Sequence, residues 1–243
     1  MNTIATPVAR GNVALIGELA RSATLALGFS ASGESAAVRA VSALQQDFDA
    51  VWNGEIDRWR AWHARTRADR DGDLGLQDQR QRDALRTSAM VLQVHRDKTF
   101  LGAMVASLSV PWGNSKDDLG GYHLVWPRDL VESAGALLAL GAVEEARDVM
   151  RYLVATQNED GHWFQNQWLG GAPYWNGVQL DEAAFPVLLA GALIERRALD
   201  GIHVTQMVRR AVRFIALTGP SGHQDRWEED CGVHPFPLGV CIA

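Results

Sequence analysis

Three tryptophans limit what this chain can fold into. Trp126, Trp175 and Trp227 are separated by 49 and 52 residues, and each sits in a loop of one character. The loops are PWGNSKDDLGGYHLVWPRD from Pro111, NEDGHWFQNQWLGGAPYWNGVQLD from Asn158 and TGPSGHQDRWEED from Thr218. All three are rich in Gly, Trp and carboxylates. Between them, three- and four-residue hydrophobic spacing predicts helices over about 79–96, 129–140, 142–157, 180–198 and 203–217. Two antiparallel helices plus a loop fill about 50 residues at 1.5 Å rise per residue. If that unit repeats, every second loop emerges at the same end. The expected fold is all-α: three helical-hairpin units of an (α/α) toroid, with the aromatic, acidic loops converging on one face. Loops held by a rigid frame are where binding and catalysis concentrate.

Upstream the pattern differs. Val13, Leu15, Leu25, Leu27 and Phe29 recur at period two, with Gly17 and Gly28 interrupting, which predicts one or two strands. Two strands cannot bury a face alone, so they pack on the remainder or end a sheet domain. From Ser35 to Trp62 the spacing is helical, with a break expected at Gly54, as in a helical linker. The charged stretch 65–75 reads as a boundary loop. Its Asp69, Asp71 and Asp73 lack the glycine placement and closing Glu of a calcium loop, so they read as a solvated turn.

Aromatic faces beside carboxylates and amides suit carbohydrate, whose rings offer apolar C–H patches while their hydroxyls need polar partners. Trp163 and Trp168 read better as anchors of their loop. Asp225, Glu228, Glu229 and Asp230 put four carboxylates within six positions around Trp227. Crowded like charges against an apolar wall raise the pKa of one of them, as a proton donor to a glycosidic oxygen requires. A solvated acidic turn before a helix accounts for the same residues equally well. Arg128-Asp129 is either a capping pair or, directly after Tyr122 and Trp126, a clamp on two adjacent hydroxyls.

Composition removes other classes. With 47% hydrophobic and 21% charged residues the chain is not disordered, and its net charge of −6 argues against a nucleic-acid groove. No apolar run reaches the ~18 residues of a membrane span. The N-terminus lacks the pattern of a signal peptide, which favours the cytoplasm. Cys231 and Cys241 are too few for a disulfide scaffold. No metal-ligand spacing, phosphate loop or nucleophile elbow is present, so neither metal nor cofactor is expected.

Over residues 78–235 the sequence resembles the glucoamylase and glucodextranase family, glycoside hydrolase family 15, in its prokaryotic branch. Three motifs in order carry the likeness. Tyr122-x-x-x-Trp126-Pro127-Arg128-Asp129 resembles the segment that grips the terminal glucose. Trp175-x-x-x-Gln179-x-Asp181 is similar to the second loop, whose tryptophan packs near the cleavage point. Asp225-Arg226-Trp227-Glu228-Glu229 resembles the catalytic-acid loop, making Glu228 the general acid and Glu229 a substrate contact. The likeness implies an (α/α)6 barrel of which 78–243 is about the first half. It also implies a helical linker over 34–77 and the end of an N-terminal β-sandwich over 1–33. It further implies an α-glucan or α-gluco-oligosaccharide substrate, hydrolysed from non-reducing ends with inversion.

Inversion needs a second carboxylate across a water molecule, about 6.5–9.5 Å from the acid. The family places it in a late barrel loop, beyond Ala243. Phe236 to Ala243 departs from the helix start expected after the acid loop and reads as an altered tail. Half a toroid would expose apolar faces, so self-association and inactivity are expected of the chain alone. Three other readings compete. One is a sugar-binding remnant without a base. Another is a terpene-cyclase-like α-toroid, from Gln157-x-x-x-Gly161-x-Trp163. The third is a disaccharide phosphorylase, in which phosphate replaces the attacking water.

Overall fold

The structure is a computed structural model and describes residues 18, 20–66, 78–109, 121–227 and 230–243. The chain divides into two compact units, residues 1–62 and 63–243.

In the first unit, helix α1 spans Gly33–Leu44, and helix α2, Phe48–Arg65, ends three residues past its boundary. Ser32 caps α1 by accepting from the Ser35 amide at 3.2 Å. The helical stretch breaks at 45–47 and not at Gly54, which lies inside α2. Asp47 decides this by accepting from the Ala50 amide at 2.8 Å, which satisfies a first-turn donor and starts a new helix. A glycine in a helix interior costs only about 1 kcal/mol against alanine, too little to stop it. Leu25, Leu27 and Phe29 have no regular secondary structure and form no strand ladder among the described residues, and all three are exposed. Val13, Leu15 and Gly17 fall outside the described residues.

The second unit holds α3 (Gln79–Val94), α4 (Pro127–Ala139), α5 (Val143–Thr156), α6 (Leu180–Glu195), α7 (Thr205–Thr218) and α8 (Pro235–Ile242). The first five follow the expected ranges closely, and their ends have local causes. Asp78 caps α3 through the Gln81 amide at 2.8 Å. Pro127 opens α4 at a position where its missing N–H costs nothing, and Trp126 before it is held extended (φ −101°, ψ 127°). Gly141 at φ 82° turns the chain from α4 into α5, a left-handed conformation that only glycine adopts cheaply.

Helices α4, α6 and α8 neighbour one another in that order, while α5 packs against α4 and α6, and α7 against α6. That is an inner row of three helices backed by outer ones, an arc of the (α/α)6 toroid. The inner helix α6 buries residues on most of its circumference, from Leu180 and Ala184 to Leu189 and Leu193. The outer helices α5 and α7 bury one stripe each, Ala146, Val149, Met150 and Leu153 in α5.

The C-terminal segment corrects an expectation. Residues 235–242 are helical and continue the inner row, with Pro235 at the helix start. Phe236 meets Phe185 of α6 at a ring distance of 6.2 Å, and Cys241 Sγ lies 3.7 Å from the Leu180 carbonyl. An apolar run with no polar face reads poorly as a helix by period, and of its residues only Pro237 is buried.

Candidate active site

The loops that precede α4 and α6 meet. Within the second, a short antiparallel ladder pairs β1 (Asn166–Gln167) with β2 (Pro173–Trp175). Val125 and Gln167 then exchange backbone hydrogen bonds of 2.9 and 3.0 Å, tying the first loop to the second. Their aromatic rings form one continuous row. Tyr122 meets Trp126 edge-on at 5.8 Å, and Trp126 meets Trp175 at 6.2 Å. Tyr174 follows at 5.6 Å from Trp175, and Trp168 closes the row 5.3 Å from Tyr174. Trp126 is buried at 6% exposure, while Tyr122 and Trp168 at the two ends are open. Such a row offers several ring edges and faces to a sugar.

The residues that follow Trp126 and Trp175 include a buried polar group. Arg128 is 7% exposed, and its Nε donates to Asp181 Oδ2 at 2.7 Å. A terminal guanidinium nitrogen donates to Gln179 Oε1, and Glu182 lies 3.6 Å away. Gln179, Asp181 and Glu182 are fully buried at the start of α6. Burial works against the Arg128 charge, but Asp181 and Glu182 outweigh it and raise its pKa above the ordinary arginine value. Arg128 is therefore neither a surface feature nor a simple cap. It fastens the head of α4 to the head of α6, and Gln179 and Asp181 are its partners.

Sequence reasoning missed two groups. Glu182 reads as an ordinary first-turn acid; its signal was adjacency to Asp181 amid apolar neighbours. The buried trio Gln165, Asn166 and Gln167 positions the aromatic row. Asn166 Oδ1 accepts from the Trp175 amide at 2.9 Å, and Gln167 Nε2 donates to the Tyr152 hydroxyl at 2.9 Å. An amide-rich run between two tryptophans was the available sign.

Asp129 is exposed at the head of α4, yet its carboxyl pKa lies above the usual value. Loss of hydration is the main cause, and Asp181 adds to it. Arg128, its own backbone and Arg226 oppose the shift. The sign gives a test. A folded pKa above the unfolded one means the native state binds more protons, so stability is full below about pH 4 and falls as pH rises through the folded value. Asp129→Asn should therefore be more stable than the parent in urea at neutral pH and equal to it near pH 3. A midpoint difference that does not change with pH would contradict this origin.

The third loop is a closed hairpin. Gly222 and Gly232 exchange backbone hydrogen bonds of 2.8 and 3.0 Å, and the Asp225 amide donates to the Asp230 carbonyl at 2.9 Å. Asp225 Oδ1 accepts from the Trp227 amide at 3.0 Å. Trp227 is 72% exposed and does not join the aromatic row. Glu228 and Glu229 lie outside the described residues. Among the described residues no three His, Cys, Asp or Glu side chains group as metal ligands.

The remaining tryptophan expectations separate. Trp163 is completely buried, and its Nε1 donates to the Leu153 carbonyl at 3.1 Å, so it anchors its loop on α5. Trp168, expected to do the same, instead ends the open aromatic row. The Gln157…Gly161…Trp163 pattern is also accounted for by packing. Gln157 Nε2 donates to the Gly161 and Met207 carbonyls, both at 3.0 Å, and Gly161 at φ 113° lets the loop pass against Arg210 of α7.

Comparison with known proteins follows the same division. Residues 1–64 match the family model "Glucodextranase, domain N", and residues 79–162 match "Glycosyl hydrolases family 15". A glucoamylase from Clostridium sp. (strain G0005) is 34% identical over 221 residues, covering 90% of this chain and 30% of the glucoamylase. An uncharacterized glycosyl hydrolase of Methanocaldococcus jannaschii is 27% identical over 127 residues, covering 50% of this chain and 20% of that protein. The crystal structure of a bacterial glucoamylase complexed with acarbose superposes with a TM-score of 0.73 at 35% identity, covering 88% of this chain and 30% of the glucoamylase chain. The chain thus spans about a third of the length of the glucoamylases it matches.

Proposed function

We infer, from a chain whose residues 79–162 belong to glycosyl hydrolases family 15, that these loops are the sugar-gripping and acid-bearing part of an exo-acting α-glucoside hydrolase. The observation that carries the reading is the junction of the first two loops. Trp126 and Trp175 meet at a ring distance of 6.2 Å, and Arg128 and Asp181, which follow them by two and six residues, are joined at 2.7 Å. An apolar face and a rigid set of hydrogen-bonding groups therefore share one place, as recognition of a sugar ring demands.

In this reading Tyr122, Trp126 and Trp175 form the wall against which the terminal glucose packs, and Asp129 accepts from its hydroxyls. Arg128, held on two sides by Asp181 and Gln179, supplies charge and rigidity. Glu228 protonates the leaving oxygen, and Glu229 and Trp227 meet the sugar beyond the scissile bond. A second carboxylate, across a water molecule, completes inversion. The residues named here bind the terminal glucose of an α-gluco-oligosaccharide.

The test is calorimetric titration of the chain with acarbose, the ligand of the related crystal structure. Binding is expected, and Trp175→Ala should weaken it tenfold or more, about 1.4 kcal/mol. No binding at millimolar acarbose, or an unaffected Trp175→Ala variant, would refute the sugar site. In a longer form that does hydrolyse maltotriose, Glu228→Gln should cut turnover about 10²–10⁴-fold with acarbose affinity little changed. Lost affinity with retained turnover would remove Glu228 from the acid role.

A further inference from the structure

The third loop touches the second at Gly177, halfway between Trp175 and Gln179. A methyl group on Gly177 would overlap Gln224 Oε1 and Gln165 Oε1 and stand 2.9 Å from Gln224 Cδ. Gly177 does not have a positive φ, so glycine is needed there for room and not for backbone conformation. Gln165 holds the same residue a second way: its backbone N–H donates to the Gly177 carbonyl at 2.8 Å. The third loop also begins against the head of α6, where a Cβ on Gly222 would stand 3.9 Å from Leu180 Cγ.

We propose that Gln224 is a positioning residue: with Gln165 it clasps Gly177 and fastens the start of the third loop to the segment that carries Trp175. Two buried atoms point to the bond that closes the clasp. Gln165 is 2% exposed, and neither its Nε2 nor Gln224 Oε1 has a hydrogen-bond partner among the described residues. One is a donor and the other an acceptor, on amides that meet at the same glycine. A half-turn of the Gln165 amide exchanges its oxygen and nitrogen without changing its volume. It brings the NH2 to Gln224 Oε1 and satisfies both groups. Unpaired buried amides are costly, so this arrangement wins over two carbonyl oxygens side by side.

The clasp gives the two loops a common rim. Trp175, two residues before Gly177, has its amide held by Asn166 Oδ1, and Gln179, two residues after, is a partner of Arg128. On the other side Gly222 is paired with Gly232, and Asp225 with Asp230, so a hold on Gln224 reaches both arms of that hairpin. Loosening Gln224 therefore frees the base of the hairpin and the segment behind Trp175 together. The consequence for sugar rests on the reading of Trp175 as part of the glucose wall.

The experiment uses the whole 243-residue chain. Gln224→Met keeps the length of the side chain and removes its acceptor; Gln224→Ala, Gly177→Ala and the double variant of these two test the contact. Native-state hydrogen exchange at the Gly222, Gly232 and Gln165 amides should quicken about fivefold in Gln224→Met, the scale of one hydrogen bond, with exchange in α5 unchanged. The Gln165 side-chain NH2 protons, followed by NMR, should move upfield as they lose their acceptor. Parental exchange or an unmoved NH2 signal in Gln224→Met overturns the clasp. Gly177→Ala should quicken the same amides more than Gln224→Met does, and less in the Gln224→Ala background, where the amide no longer occupies the place of the methyl. Additive effects overturn the contact, and if Gly177→Ala alone does not fold, recovery of folding in the double variant is the same test. None of these readouts contains sugar, so a failure of acarbose to bind counts against the sugar site and leaves the clasp standing. If acarbose binds, Gln224→Met should weaken it about threefold while the urea midpoint stays near that of the parent. Unchanged affinity overturns the link to the wall.

Discussion

Arg128→Met should cost the 63–243 unit about 3–5 kcal/mol, the range found when one partner of a buried ion pair is removed. Methionine fills much of the arginine volume, so the loss is electrostatic more than steric. Asp181 and Glu182, both fully buried, would be left without the cation they face. Urea denaturation followed by far-UV circular dichroism measures the effect, and a loss below about 1 kcal/mol would show that the pair is not what joins α4 to α6. Neutralising the two carboxylates gives a second reading: adding Asp181→Asn and Glu182→Gln should recover part of the loss at neutral pH, because no buried charge then lacks the cation it faced.

Trp163→Ala should be comparably severe, about 3–5 kcal/mol, as for other fully buried tryptophans cut to alanine. The indole is 0% exposed, and its loss also leaves the Leu153 carbonyl without its donor. Trp168→Ala, five residues on, should cost less than about 1 kcal/mol, because its ring is open and touches Tyr174 at an edge. Thermal unfolding of the two variants side by side checks the contrast, and each kcal/mol is worth roughly 2–4 °C in a unit of this size. Equal losses would mean that the aromatic row is part of the core and not a surface prepared for a ligand.

That contrast shows where sequence reasoning loses its grip. Trp163 and Trp168 have the same neighbours by composition, and both read as anchors. Their fates diverge because Trp163 turns onto the α5 carbonyl of Leu153 while Trp168 follows β1 out to the row. A two-residue ladder such as β1–β2 has too little length for a period-two signal, so nothing local announces the turn. The hairpin from 222 to 232 is similar: its Gly-rich, acidic composition was legible, its closure by paired backbones was not.

Helices α3 to α7, their approximate ends, and the recurrence of aromatic loops about 50 residues apart were determined by the sequence alone. These are near-neighbour properties: side chains three and four apart share a helix face, and Asp78, Pro127 and Gly141 mark ends by local backbone chemistry. Only the tertiary structure decided that Gln179 and Asp181 are partners of Arg128, across 51 and 53 residues, and that Glu182 joins them. It also decided that 235–242 is the third inner helix. The reason is common to these cases. A buried charge or an all-apolar turn is stable only against what covers it, and that covering comes from elsewhere in the chain.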